Sequence, residues 1–282
     1  MKESHTGTKN ENPLTVNGAI LSHPGRVHKS NEDNILFIVP GAAEFASTLG
    51  FIAIVADGMG GHSAGELASR IAVETVLEIL RDSNLSIPAT LGRCMLSANN
   101  AIFARSESDP ACAGMGTTCT VLVLQDEAIF LAHIGDSRAY LYRSGRMLQI
   151  SEDHSAIGEL VRAGKLSQDD AQNSPYRNII LKSLGTKKDI DPLIWESGRP
   201  VQDGDILVIC SDGLTDLVDD DALARLITHR SPRDACQGLI DAALHNGGFD
   251  NISVGVFILQ IGHKQAPGTG SMDKIWPPRP TE

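Results

Sequence analysis

Apolar residues recur along this chain in two rhythms, and the switches between them mark out its elements. Strand-length runs fall at residues 16–21, 35–39 and 51–56, and the last, FIAIVA, is apolar on both faces, as in a buried strand. From residue 63 to 81 the period changes. Ala64, Ala68, Ile71, Ala72, Val76 and Leu80 recur at helical spacing and predict a long amphipathic helix. A second helix is expected over residues 89–104, with Leu91, Met95, Ala98 and Ile102 on its apolar face. The strand rhythm then returns in TTCTVLVL, AIFLAHIG and RAYLYRSGRMLQIS, with Asp126 and Ser144-Gly145 as hairpin turns. Residues 155 to about 171 read as a short helical insertion ending in the irregular NSPYRN. GDILVICSD is a strand, residues 220–228 and 232–244 are helices, and NISVGVFILQI is a closing strand.

Strands joined by short turns, with helices in pairs, imply an α+β fold rather than a βαβ winding. The expected architecture is a four-layer α/β/β/α sandwich of two antiparallel sheets flanked by helices. Residues 1–13 and 262–282 show neither rhythm; the first stretch is polar and the second rich in Gly and Pro. Both are expected to be flexible tails around one domain at residues 14–261. Trp276 is the one sticky side chain of the second tail, either an exposed ring or a partner contact.

Composition narrows the classes of function. The 282 residues are 41% hydrophobic and 21% charged, with a formal net charge of −11. No Lys/Arg block appears, so nucleic acid is excluded as a partner, and the acidity disfavours an anionic membrane surface. No apolar run approaches the ~20 residues that cross a bilayer. The N-terminal stretch lacks the apolar core of a secretory signal. Five scattered cysteines without a CxxC pair read as buried thiols in a reducing compartment, so the expected location is cytoplasmic.

Candidate chemistry lies at the strand ends. Asp57 ends FIAIVA before Gly58, Asp136 follows Gly135 after IFLAHI, Asp212 ends ILVICS, and Asp250 precedes Asn251 and the last strand. Glu32 and Asp33 sit just before ILFIV. Taken alone, the stretch at Asp57 reads equally as a cation site or as a strand-to-helix turn, since Asp and Gly are common turn residues. The repetition shifts the reading. Carboxylates converging on one sheet edge repel unless cations neutralise them, and an all-oxygen set suits Mg²⁺ or Mn²⁺. Two such ions about 3.5–4 Å apart activate water and bind a phosphate ester.

The motifs GRVHKSNED, DGMGGHSAGE, GMGTT, IGDSRAYLY, EDHS, SDGLTD and GGFDNIS, in this order, resemble the metal-dependent serine/threonine phosphatases of the PPM (PP2C) family, and most closely the bacterial single-domain type. The resemblance covers roughly residues 15–261. It implies hydrolysis of phosphoserine and phosphothreonine by a metal-bridging hydroxide, with two Mn²⁺ or Mg²⁺ ions and a third, weaker one. Carried over by position, Asp57 resembles the ligand between the two metals and Gly58 offers its carbonyl. Asp212 and Asp250 match the other carboxylate ligands and, with Asp57, the catalytic set. Glu32 and Asp33 match residues that hold metal-bound waters, and Asp136 matches a ligand shared with the SDG aspartate at the third metal. Gly114 to Thr118 and Asn251 resemble wall residues. The implied partners are phosphorylated proteins, a Hanks-type kinase and its substrates, met by a monomer. Two rival functions are a phosphoprotein-binding pseudophosphatase and a SpoIIE-like phosphatase of an anti-sigma antagonist. The full carboxylate set argues against the first, and the GMGGH and GDSR motifs sit closer to the kinase-partnered group than to the second.

The pattern departs from the family in two places. The phosphate-binding Arg of GxVRxxNED is His28 here, which loses the bidentate fork. His28 is expected to hold the phosphate more weakly and pH-sensitively, helped by Lys29 or by Arg26, which an extended chain would point to the same face. Animal members carry a histidine directly after DG, where Met59 stands; His62, three residues on, is read as a helix-start residue with Ser63 and Glu66. His154 and Arg177 flank the insertion, a mobile flap in this family, and both read as solvated surface.

Overall fold

The structure is a computed structural model that describes residues 14–39, 50–60, 64–167, 170, 174, 176 and 179–262. Residues 1–13 and 263–282, with Trp276, lie outside the described residues, as do His62, Ser63 and Arg177.

Strand β3 (Phe51–Met59) shows how the layers arise. Phe51, Ala53 and Val55 face one apolar cluster and Ile52, Ile54 and Ala56 another, which is the two-residue alternation of a strand buried on both sides. Its sheet runs β10 (Arg199–Pro200), β6 (Ala128–Ile134), β5 (Cys119–Gln125), β3 and β2 (Asp33–Ile38), with β4 (Gly116–Thr117) beside β3 and β9 (Leu193–Ile194) beside β6. The second sheet orders β1 (Leu14–His23), β12 (Ile252–Ile261), β11 (Ile206–Cys210), β7 (Arg138–Arg143) and β8 (Arg146–Gln149). Every pairing is antiparallel.

The two sheets close on a shared core in which the Phe51 and Phe257 rings meet edge-on at 4.7 Å. Outside the first sheet pack α1 (Ala64–Asp82) and α2 (Ile87–Ser108); outside the second pack α5 (Asp220–Ile227) and α6 (Pro232–His245). The expected four-layer sandwich is thus the observed one. Hairpin turns fall where expected, with positive φ at Asp126, Glu127, Ser144 and Gly145, as two-residue primed turns require. The acidic run at 219–221 starts a helix: the Asp219 side chain accepts the Ala222 amide and caps α5.

Two expectations need correction. The insertion's first helix, α3 (Ala156–Arg162), ends sooner than expected, and Gly164, at φ 66°, follows it in the left-handed conformation that ends helices; Asp170 is helical again. The short strands β9 and β10 were not expected, because LI and RP carry no run long enough to signal a strand. No helix among the described residues is long and apolar enough to cross a membrane.

Candidate active site

The carboxylates that the sequence singled out come from both sheets. β2 and β3 place Asp33 directly opposite Asp57. From the second sheet, Asp212 opens the short helix α4 (Asp212–Thr215) at the end of β11, and Asp250 stands just before β12. Asp57 interacts electrostatically with both Asp33 and Asp212, close enough that each raises its carboxyl. Asp33 is tied across the sandwich by the Ser211 hydroxyl, which donates to its Oδ2 at 2.7 Å.

Neighbouring backbone is pinned with equal care. The Asn251 side chain accepts the Glu32 amide at 2.7 Å and donates to the Pro24 and Ser30 carbonyls, each at 3.0 Å. The Thr118 hydroxyl accepts the Asp57 amide at 2.9 Å and pairs with Ser137 at 2.7 Å. Ser69 of α1 donates to the Glu32 carbonyl at 2.6 Å. Gly58 is glycine for a steric reason: a Cβ there would overlap the Gly65 carbonyl, where β3 and α1 almost touch. Thr118 and Asn251 are thus the wall residues that the motifs implied. Ser211, Ser137 and Ser69 escaped the sequence reading; Ser211 alone carried a signal, sitting between an apolar strand and Asp212.

The electrostatics are those of a site short of positive charge. Burial pushes the Asp33 carboxyl up to about 6 and that of Asp136 up to about 7. Asp57 and Asp212 are raised well above the usual carboxylate range, first by burial and then by neighbouring carboxylates. Glu32 is raised by burial, against the lowering effect of His28. Three inward atoms, Asp33 Oδ1, Asp136 Oδ1 and Asp212 Oδ1, are buried without a hydrogen-bond partner. Buried oxygens of this kind are costly unless a cation or donor meets them, so the donor set fits a hard divalent ion. Among the described residues, no three of these side chains already form one ligand cage.

His28 lies at the rim, half-exposed, with Nε2 3.5 Å from Asp250 Oδ1. Arg26 does not join it. Residues 25–27 turn rather than extend, with Gly25 at φ 77°, and the Arg26 amide donates to the Gly248 carbonyl at 2.7 Å. The alternation that would place both side chains on one face does not apply. His154, expected on the surface, is 6% exposed and stacks 5.0 Å from the buried His133. Cys210 lies beside the site, but burial pushes its thiol up to about 12, which leaves no thiolate nucleophile.

The family model for protein phosphatase 2C matches residues 27–245. The chain belongs to the protein phosphatase 2C family. It is 35% identical over 238 residues to the serine/threonine phosphatase stp of Listeria innocua, covering 82% of this chain and 90% of that protein. It is 34% identical over 242 residues to the serine/threonine protein phosphatase PstP of Mycobacterium tuberculosis, covering 86% of this chain and 44% of that longer protein. Among solved structures, the PstP catalytic domain in complex with two manganese ions aligns at a TM-score of 0.75 and 31% identity, covering 88% of this chain and all of that one. Serine/threonine phosphatase Stp1 of Staphylococcus aureus aligns at 0.77 and 28% identity, over 92% and 99% of the two chains.

Proposed function

We propose that this family member is a metal-dependent phosphoprotein phosphatase that hydrolyses phosphoserine and phosphothreonine, opposing a serine/threonine kinase. The observation that carries the reading is the buried row of carboxylates from both sheets, with three partnerless oxygens turned inward. Asp57, the Gly58 carbonyl, Asp212 and Asp250 would hold two Mn²⁺ or Mg²⁺ ions. Glu32 and Asp33 would hold their water shell, and Asp136 with Asp212 would hold a third ion. When bound, such ions supply a water acidic enough to attack phosphorus at neutral pH and positive charge for the phosphate oxygens.

The chain's own residues do the rest. Ser211 and the Thr118 hydroxyl fix the Asp33 side chain and the Asp57 backbone, so the ligands are oriented before substrate arrives. His28 stands at the mouth and binds the substrate phosphate.

Hydrolysis of a phosphothreonine peptide by the wild type and by Asp57→Asn, each with Mn²⁺ and with EDTA, tests this. The wild type is expected to require the metal, and Asp57→Asn to lose about 10²-fold or more in kcat, as when several kcal/mol of charge stabilisation is removed. Full activity in EDTA would overturn the reading.

A further inference from the structure

His133 and His154 are buried, face each other at 5.0 Å, and have no part in the chemistry above. Between them they hold the amide and the carbonyl of one residue, Gly135. The Gly135 amide donates to His154 Nδ1 at 3.2 Å. The Gly135 carbonyl accepts the His154 amide at 2.7 Å and lies 3.1 Å from His133 Nε2. The Glu152 carbonyl is also 2.9 Å from that nitrogen, so Nε2 carries the proton and Nδ1 accepts from the Thr120 hydroxyl at 2.8 Å. Burial lowers the pKa of both imidazoles, in keeping with neutral rings in fixed tautomers.

Gly135 aims Asp136, because its carbonyl belongs to the peptide bond that leads into Asp136. Gly135 has φ 113°, and a Cβ on it would press into Thr118, whose hydroxyl holds the Asp57 amide. Gly135 therefore lies hard against Thr118, and the two histidines hold its amide and its carbonyl. Asp136 follows directly, 7% exposed, with Oδ1 buried and partnerless. On its far side, the His154 carbonyl accepts the Leu181 amide at 2.8 Å, and the Ala156 amide donates to the Ile179 carbonyl at 2.9 Å.

We propose that His154, backed by His133, is a positioning residue: its Nδ1 holds the Gly135 amide, and so holds Gly135 in the orientation that turns the Asp136 carboxylate into the acidic centre. The His154 carbonyl also anchors the 179–181 segment, so that segment and the aim of Asp136 share one fastening. The proposal rests on reading the acidic centre as a metal site.

Calorimetric titration of the full chain with Mn²⁺ tests it without any assay of activity. Asn carries its amide oxygen where Nδ1 stands, and Gln carries its own one bond further out. His154→Asn is expected to stay within about threefold of wild-type affinity for the weakest Mn²⁺ site, and His154→Gln to fall about tenfold, the usual cost of removing a residue that orients a ligand. In an Asp136→Asn background, His154→Gln is expected to have no further effect on Mn²⁺ binding, because the carboxylate it aims is gone. Thr120→Val, which withdraws only the hydroxyl behind His133, is expected to weaken the same site in a folded protein even if His154→Gln does not fold. Equal Mn²⁺ affinity in wild type, His154→Gln and Thr120→Val, or losses that add in the Asp136→Asn background, would overturn the positioning role. A wild type that binds no Mn²⁺ overturns both the metal reading and this one.

Discussion

At position 28 an imidazole stands where the family pattern carries a guanidinium, with the acidic neighbours Asp250, at 3.5 Å, and Glu32. A single ring nitrogen offers one hydrogen bond where Arg offers a planar fork, so under the proposed function phosphate would be gripped at one point rather than two. Two outcomes follow for steady-state kinetics on a phosphothreonine peptide. His28→Ala is expected to raise KM roughly tenfold, the low end of what a hydrogen bond to a charged group is worth at a half-exposed rim. His28→Arg is expected to lower KM with little change in kcat, since it restores binding and leaves the carboxylates alone. An unchanged KM in both variants would remove His28 from phosphate binding. The carboxylates were legible in the sequence because each stands at the edge of an apolar strand beside Gly or Asn. His154 was not, because its flanks in EDHS are polar, and only the fold shows that Gly135 and Leu181 close over it.

At the scale of elements, the strands and helices were legible from periodicity, whereas their partners were not. β1 pairs with β12 from Leu14↔Ile261 to His23↔Ile252, joining the two ends of the domain, and nothing local in either strand encodes the other. The meeting of β3 with α1 is similar. The glycines of ADGMGG announced a tight turn, yet the need for Gly58 comes from Gly65 in the facing helix. A methyl at Gly58 would overlap the Gly65 carbonyl and crowd the Glu32 carbonyl, so β3 and α1 must separate or the backbone must shift. Gly58→Ala is therefore expected to cost about 1–3 kcal/mol, the usual range for overpacking a close contact. Urea unfolding in EDTA measures this free of any effect on metal binding, and a midpoint equal to wild type would show that the two elements yield more easily than their contact suggests.

Across the whole molecule, the sandwich brings the ends of two sheets together, and the acidic centre exists only because they close. Stability then responds to pH from two sides. Asp33, at about 6, and Asp136, at about 7, are raised above the ordinary 3.8, so their contribution is whole below about 3.8 and is lost as pH rises through 6 and 7. His154 works in the opposite sense. Burial, then His133, Lys182 and Arg162, push it down to about 3, with Asp153 pulling weakly the other way. Between about 3 and the unperturbed 6.5 the unfolded chain takes a proton that the folded one refuses, so this contribution is whole above 6.5 and drains away as pH falls toward 3. His154→Asn deletes the titrating ring and leaves the carboxylates in place, so the difference between variant and wild type isolates the histidine. In EDTA, lowering pH from about 7.5 to 5 is expected to cost the wild type on the order of 1 kcal/mol more than His154→Asn, allowing for partial solvent screening. Urea midpoints at the two pH values measure it. A gap between the proteins that stays constant with pH would mean that His154 is not held neutral, and that its ring accepts a proton in the fold as readily as in the unfolded chain.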